Sequence, residues 1–156
     1  MTPPPTPDLT DLADADLLRL DHQVCFSLQA ASRAFGGVYR EALRDLGLTY
    51  PQYLAMMVLW EHGPLPVKTI GERLHLDSGT LSPLLKRLES AGLVRRERSA
   101  EDERSVMVHL TDAGTGLHDR ALPVPRAILR ATGLSVEEIL ALQKTLGRLT
   151  ASLGKA

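Results

Sequence analysis

The sequence predicts a mainly α-helical fold, a winged helix-turn-helix with a two-stranded wing, flanked by N- and C-terminal helices. Leucine and alanine are abundant, while aromatic residues make up only 4% of the 156 residues, which favours helices over a β-sandwich. Apolar residues recur at three- and four-residue spacing over most of the chain. Near 93–110 they alternate with polar residues instead, which is typical of a β-hairpin.

The composition narrows the class of protein. Hydrophobic residues make up 44% and charged residues 24%, as in one globular domain rather than a disordered or fibrous chain. A net charge of −1 argues neither for nor against nucleic acid. The one cysteine excludes a disulfide within the chain. No apolar run is long enough for a bilayer-spanning helix, so we expect an unprocessed cytoplasmic protein.

The chain divides into four predicted segments. The prolines near its start predict a disordered tail over 1–12. Segment 13–49 should hold N-terminal dimerisation helices, 50–111 a DNA-binding lobe, and 112–156 C-terminal dimerisation helices.

The N-terminal segment is predicted to form two helices. Apolar residues from Leu17 to Phe35 are spaced by three and four, which predicts an amphipathic helix that Gly36 and Gly37 end. A short helix should follow over 38–45.

A buried helix is predicted at the start of the lobe. Thr49 is a suitable N-cap for a helix over 50–62, and Pro51 lies in the first turn, where its missing N–H is harmless. The run from Leu54 to Trp60 is apolar nearly all round, so this helix should lie in the core.

A helix-turn-helix and a wing are predicted next. Helices over 67–74 and 78–90 should be joined by a turn over 75–77. Two strands, over 93–98 and 105–110, should then pair around a charged tip.

The C-terminal third is predicted to be helical. Thr111 can cap a helix towards Leu122, and Pro123 and Pro125 should kink or interrupt that helix before another helical stretch ends at Gly133. Ser135 with Glu138 has capping-box spacing. The last helix carries a narrow apolar seam: Ile139, Leu142, Leu146, Leu149 and Leu153. Since the lobe can close its own core, this seam predicts a homodimer.

A DNA interface is predicted on the second helix of the pair and on the wing. Small polar residues at the helix start suit close approach to bases and phosphates, and basic residues suit the flanking backbone. Asp102 and Glu103 are placed to orient Arg104 towards a minor groove. The candidate DNA contacts are Asp77, Ser78, Gly79, Thr80, Ser82, Pro83, Lys86, Arg87, Arg95, Arg96, Arg98, Asp102 and Arg104. Acidic neighbours nearly cancel these cations, so a winged helix that binds only proteins stays an alternative.

Cys25 has two interpretations. It lies on the flank of an apolar helix stripe, where a cysteine is commonly a buried, inert hydrophobe. A reactive cysteine needs groups that stabilise its thiolate, and Cys25 is predicted about two turns into its helix, too far for the helix dipole to help. The hydroxyls of Tyr39 and Tyr50 are the available donors.

Catalytic and metal-binding patterns are missing from the sequence. No nucleophile elbow, phosphate-binding loop or dinucleotide fingerprint is present, and no two of the five histidines have ligand spacing on one helix. We therefore predict no metal, no cofactor and no enzyme.

Four blocks of the chain resemble the MarR family of winged-helix regulators. They are Leu20–Phe26, Leu48–Leu54, Leu76–Arg87 and Glu101–Val106, and the resemblance extends over about 17–153. The first two blocks, which hold Cys25 and Tyr50, resemble the organic hydroperoxide sensors of the OhrR type.

The resemblance implies a homodimeric repressor that binds a near-palindromic operator and has no membrane partner. Cys25 would be the sensor of organic hydroperoxides, hydrogen-bonded by Tyr39 and Tyr50 of the other protomer. Oxidation of Cys25 would then release the DNA. Segment 13–49 would thus hold sensor as well as dimerisation helices.

Two features depart from the family pattern. Gln29 stands where an aromatic residue is often found, and no second cysteine can resolve an oxidised Cys25. A low-molecular-weight thiol must then complete the switch, or Cys25 must cyclise to a sulfenamide or over-oxidise irreversibly, and we expect the mixed disulfide. Besides the winged helix that binds only proteins, two rival functions remain: a MarR regulator released by a small aromatic ligand, with Cys25 incidental, and a thiol peroxidase.

Overall fold

A computed structural model of the protein describes residues 13–155. The tail predicted to be disordered, 1–12, lies outside the described residues. The chain forms two units, the first ending at Gly37 and the second beginning at Val38.

The first unit consists of helical segments. Helix α1 (Asp14–Leu17) and a 3-10 turn (Leu20–His22) precede helix α2 (Val24–Ala42). No side chain described between 16 and 37 is buried. The described part of this unit therefore contains no hydrophobic core of its own.

The prediction that Gly36 and Gly37 end the first helix is wrong, because α2 continues through both to Ala42. Neither glycine has a positive φ, and a Cβ on either would meet no atom within 4 Å. Two glycines weaken a helix by only about 1 kcal/mol each. The separate helix predicted over 38–45 is the end of α2 and a 3-10 turn, Arg44–Leu46.

Helix α3 (Tyr50–His62) begins as predicted. The Thr49 hydroxyl accepts the Gln52 N–H, and the Gln52 side chain accepts the Thr49 N–H, which makes a reciprocal capping box. Tyr53, Met56 and Leu59 of α3 are buried, in line with its apolar composition.

Helices α4 (Val67–Leu74) and α5 (Ser78–Ser90) form the predicted helix-turn-helix. The turn between them passes through a left-handed residue, His75, with φ of 54°. Gly71 lets the turn approach α4, because a Cβ there would lie 2.8 Å from the Leu76 carbonyl oxygen. These features set the angle between the two helices.

The wing is part of a three-stranded antiparallel sheet. Strands β2 (Val94–Arg98) and β3 (Val106–Leu110) form the predicted hairpin, with Arg96 opposite Val108. A third strand, β1 (Leu65–Pro66), pairs with the other edge of β3 and was not predicted. It has only two residues, too few to show an alternating pattern.

Helices α6 (Asp112–Ala121), α7 (Pro123–Thr132) and α8 (Val136–Leu153) complete the chain, with a break at the prolines as predicted. Residues from α3 to α7, with two from the preceding loop region, form one core. Its buried members are Leu43, Leu48, Tyr53, Ala55, Met56, Leu59, Ile70, Leu81, Leu84, Leu85, Leu88, Val94, Val108, Leu117, Ala121, Val124 and Ile128. The mainly α winged-helix prediction is confirmed.

None of the helices within 13–155 combines the length and apolar character that crossing a membrane requires.

Candidate DNA interface and sensor cysteine

Helix α5 has one buried and one exposed face. Leu81, Leu84, Leu85 and Leu88 fix the inner face in the core. The outer face carries the predicted DNA contacts, all of them exposed: Ser78, Gly79, Thr80, Ser82, Pro83, Lys86 and Arg87. The structure thus places the predicted contacts of this helix on one surface.

Asp77 holds the start of α5. Its Oδ1 accepts the backbone N–H of Thr80 at 2.8 Å, which is the bond of an N-cap. The Asp77 carboxylate therefore has a structural role at the helix start, where a negative charge also complements the helix dipole. The adjoining Ser78 and Gly79 remain exposed to a ligand.

The tip of the wing is closed by its own polar groups. The Ser99 hydroxyl accepts the N–H groups of Glu101 and Asp102, and Ser105 N–H donates to the Asp102 carbonyl. Asp102 Oδ1 accepts the backbone N–H of Arg104 at 3.0 Å. The prediction was that Asp102 orients Arg104. In the structure Asp102 holds the backbone of Arg104, and the guanidinium of Arg104 is exposed.

The structure sorts the predicted cations into two groups. Arg95 is paired with Glu97 at 2.9 Å, and Arg96 with Glu89 at 2.8 Å. Among the described residues no ion pair involves the other four cations, which are Lys86, Arg87, Arg98 and Arg104. Two of the acidic neighbours are therefore neutralised within the protein, and four exposed cations remain for phosphates.

Cys25 is exposed and lies in the first turn of α2. Both expectations about its surroundings are wrong. It is not a buried hydrophobe, and it is not two turns into a helix, because α2 begins at Val24 rather than near Leu17. The Cys25 thiol therefore lies at the N-terminal end of α2 and is open to solvent in the single chain.

The segment before Cys25 is held by its own hydrogen bonds. The Gln23 amide donates to the carbonyl oxygens of Leu17 at 2.7 Å and Arg19 at 2.8 Å. Arg19 also donates to Asp21 through Nε and Nη2, and this bond lowers the pKa of Asp21. These contacts turn the chain immediately before α2 and set where the helix begins.

Tyr39 and Tyr50, the predicted partners of Cys25, lie together in the second unit. Their ring centroids are 4.4 Å apart, and Tyr53 lies 6.0 Å from Tyr39. Burial, followed by the proximity of Tyr50 and Tyr53, raises the pKa of Tyr39 to about 12. Tyr39 therefore keeps its proton, and its ability to donate a hydrogen bond, at neutral pH.

Known proteins show the same sequence pattern and architecture. The family model for the MarR family matches residues 48–106. The organic hydroperoxide resistance transcriptional regulator of Bacillus subtilis is 47% identical over 138 residues, which span 88% of this chain and 94% of that protein. The chain belongs to the MarR family.

Two further proteins extend this MarR-family likeness. The HTH-type transcriptional regulator TtmR of Methylorubrum extorquens is 53% identical over 79% of this chain and 63% of its own length. The structure of reduced AbfR bound to DNA, a protein of Staphylococcus epidermidis, has 36% identity and a TM-score of 0.76, and covers 90% of this chain and 99% of that one. These relatives are regulators and not enzymes, as predicted for this chain.

The second unit of this MarR-family chain also contains an open cleft of about 260 Å³. Its walls come from α3 and from the α6–α7 junction. They are formed by Tyr53, Met57, Trp60, Glu61, His118, Ala121, Leu122 and Pro125. The indole of Trp60 packs edge-on to His118, with ring centroids 5.6 Å apart, and donates to the Gly114 carbonyl at 2.9 Å.

Sequence reasoning missed Trp60, Gly114 and Glu89 as residues that position the lobe. Trp60 and Gly114 contact each other across 54 positions of the chain, and no local pattern marks such a pair. Spacing offers a signal only for Glu89, because it and Arg96 flank the short turn between α5 and β2.

Proposed function

We propose that the protein is a homodimeric transcriptional repressor that organic hydroperoxides inactivate by oxidising Cys25. The observation that carries the proposal is the exposed Cys25 at the start of α2, in a chain 47% identical to an organic hydroperoxide resistance regulator. We expect the protein to act in the cytoplasm, where its operator lies.

The DNA-binding mode follows from the exposed face of α5 and the wing. Helix α5 enters the major groove with its N-terminal turn, and Arg104 at the wing tip enters the adjacent minor groove. Two lobes of a dimer then read half-sites about one helical turn apart. The solved structure of AbfR, 36% identical to this chain, is bound to DNA, which supports DNA binding as such.

Exposed apolar residues support a dimer. In the first unit Leu17, Leu20, Val24, Phe26 and Phe35 are at least 39% exposed. Helix α8 has no buried residue. Burying such a side chain from full exposure contributes about 1.5–3 kcal/mol, and the five named residues still have 39–65% of their surface to bury. A second copy of the chain therefore gains stability by covering them.

The dimer also explains how tyrosines reach the sensor. We propose that Tyr39 and Tyr50 of the second protomer reach Cys25, as the resemblance to organic hydroperoxide sensors implies. In that dimer the O–H groups of Tyr39 and Tyr50 would donate hydrogen bonds to the Cys25 sulfur.

The oxidation conserves atoms and electrons. The Cys25 thiolate attacks the distal peroxide oxygen, the O–O bond breaks, and the alkoxide leaves as an alcohol after taking up a proton. Cys25 becomes a sulfenic acid, which a low-molecular-weight thiol converts into a mixed disulfide with loss of water. The charge is lost and bulk is added at a packed interface, so the two lobes shift and release the operator.

The test compares wild type with Cys25→Ser on a duplex that wild-type protein selects from a random-sequence pool. Cumene hydroperoxide should release wild type and leave the variant bound, and intact mass should show one added oxygen or one thiol adduct. Since Met57 is also exposed and gains one oxygen as a sulfoxide, Met57→Leu is the matched control and should behave like wild type. Release of Cys25→Ser by the peroxide refutes thiol sensing.

The cleft beside Trp60 favours a second candidate function. Its volume and aromatic walls suit a small aromatic ligand, which would release the operator while Cys25 plays no part. In that case an aromatic carboxylate such as salicylate releases wild type and Cys25→Ser equally, and hydroperoxide releases neither.

A further inference from the structure

A polar contact joins the last turn of α5 to the wing through Arg96, one of the residues predicted to contact DNA. Glu89 lies in that turn, and Arg96 is the central residue of β2. Arg96 donates to Glu89 Oε2 from Nε at 3.0 Å and from Nη2 at 2.8 Å. Its backbone N–H donates to Oε1 at 3.1 Å. Both carboxylate oxygens thus hold the same residue.

Because Glu89 also accepts the Arg96 backbone N–H, this contact acts on strand β2 itself. Strand β2 is an edge strand, because β3 is its one neighbour in the sheet, and an edge leaves backbone N–H groups without a strand partner. Glu89 supplies the acceptor for one of them. Glu89 therefore fixes strand β2 itself, and not just a flexible side chain, relative to α5, the helix predicted to read the DNA.

This ion pair is less exposed than the others. The side chains of Arg96 and Glu89 are 31% and 37% exposed, whereas every other ion pair among residues 13–155 has at least one side chain more than half exposed. Solvent screens such a pair less than a fully exposed one. The Arg96 side-chain bond, with the backbone bond, lowers the pKa of Glu89 and keeps it ionised at neutral pH.

We propose that Glu89 is a positioning residue for operator binding, which holds the wing through Arg96 at the angle that lets α5 and Arg104 contact DNA together. The proposal rests on the proposed DNA-binding function. It removes Arg96 from the predicted phosphate contacts and gives it a role inside the lobe. Two elements that bind the same duplex gain affinity when their relative position is fixed in advance.

The direction in which one substitution changes DNA affinity distinguishes this positioning role from a purely electrostatic effect. Glu89→Gln removes a negative charge from the DNA-binding lobe, so repulsion alone predicts tighter binding to DNA. Loss of positioning predicts weaker binding, on the order of tenfold. The matched control is Glu97→Gln, which removes the same charge from β2 but breaks contacts within the wing alone, with Arg95 and with His109 of β3. The control should bind as tightly as wild type or slightly more tightly.

Arg96→Lys tests the same contact from the other side. A phosphate contact tolerates lysine because the charge is kept, whereas one ammonium does not reproduce the two-nitrogen contact with Glu89. We expect a loss similar to that of Glu89→Gln. This variant keeps the net charge, so it also decides the matter if Glu89→Gln unfolds.

The experiment measures the affinity of full-length protein for the duplex selected by wild type, at constant salt, with Arg104→Ala made in both backgrounds. In wild type the loss of Arg104 should weaken binding several-fold, and in Glu89→Gln the same change should have a smaller effect, because the wing is already displaced. Urea unfolding checks that each variant is folded. If wild type selects no duplex, the proposed function fails. If wild type binds, but Glu89→Gln binds as tightly as Glu97→Gln and Arg104→Ala has equal effects in both backgrounds, the positioning role is wrong.

Discussion

Gly114 offers the sharpest test of how the wing is anchored to the rest of the lobe. It lies in the first turn of α6, where the helix packs on the turn between α5 and β2. A Cβ at this position would be 2.1 Å from the carbonyl oxygen of Leu93 and 3.2 Å from Leu110 Cδ2. The Gly114 carbonyl also accepts the Trp60 indole N–H at 2.9 Å.

Gly114→Ala should destabilise the protein by about 2 kcal/mol. The closest obstacle is backbone, so no side-chain rotation relieves it, and α6 must move by about 1 Å to reach normal contact distance. Overpacking of this kind costs about 1–3 kcal/mol, and a weakened Trp60 hydrogen bond adds about 1 kcal/mol. The better helix propensity of alanine returns about 1 kcal/mol.

Gly116 provides the matched control in the same helix. A Cβ there meets no atom within 4 Å, so Gly116→Ala should stabilise the protein by about 0.5–1 kcal/mol through helix propensity alone. Urea unfolding followed by far-ultraviolet circular dichroism, at one protein concentration because the protein is expected to be a dimer, should place the Gly114→Ala midpoint below wild type and the Gly116→Ala midpoint above it. Equal midpoints for the two variants would refute the packing argument.

Three other predictions concern the cap, a tyrosine and a surface cation. Asp77→Ala removes the N-cap of α5 and should cost about 1 kcal/mol in thermal unfolding, whereas Asp77→Asn keeps an acceptor and should cost less; equal losses would mean that the hydrogen bond of the cap does not account for the stability. Burial raises the pKa of Tyr39 from 10.0 to about 12, so the folded state favours the neutral phenol. The contribution of Tyr39 to folding stability is therefore complete below pH 10 and is lost as the pH rises through about 12. Tyr39→Phe should abolish the highest step in an ultraviolet titration of the phenols, and an unchanged curve would contradict the assignment. Lys86→Ala should lower the slope of log affinity against log salt by about 0.9; an unchanged slope would show that Lys86 contacts no phosphate.

Local signals in the sequence predicted most of the helices correctly. Thr49, Asp77, Thr111 and Ser135 each accept a backbone N–H at the start of a helix. The position of the wing hairpin was predicted to within one residue at its ends. Caps and hairpins depend on neighbouring residues, so the sequence contains the information needed to find them.

The incorrect predictions concern features of the fold that a distant or weak interaction determines. The pattern from Leu17 onward predicts one helix, but the bonds of Gln23 turn the chain and start α2 at Val24. That shift moves Cys25 from the interior of a helix to its first turn. Strand β1 exists because β3 offers it a free edge, which its two residues do not reveal by themselves.

Local patterns in the chain were enough to predict the kind of molecule: a lobe with a recognition helix and a wing, terminal helices with apolar seams, and one cysteine without a resolving partner. Which charges face outward depends on contacts that form when the chain folds. Six cations and several carboxylates lie close together between Lys86 and Arg104, and their sum says little about DNA. Folding brings Glu89 against Arg96 and leaves Arg104 exposed, because the partner of a charge depends on which backbone segments meet in space and not on how near the residues are in the chain.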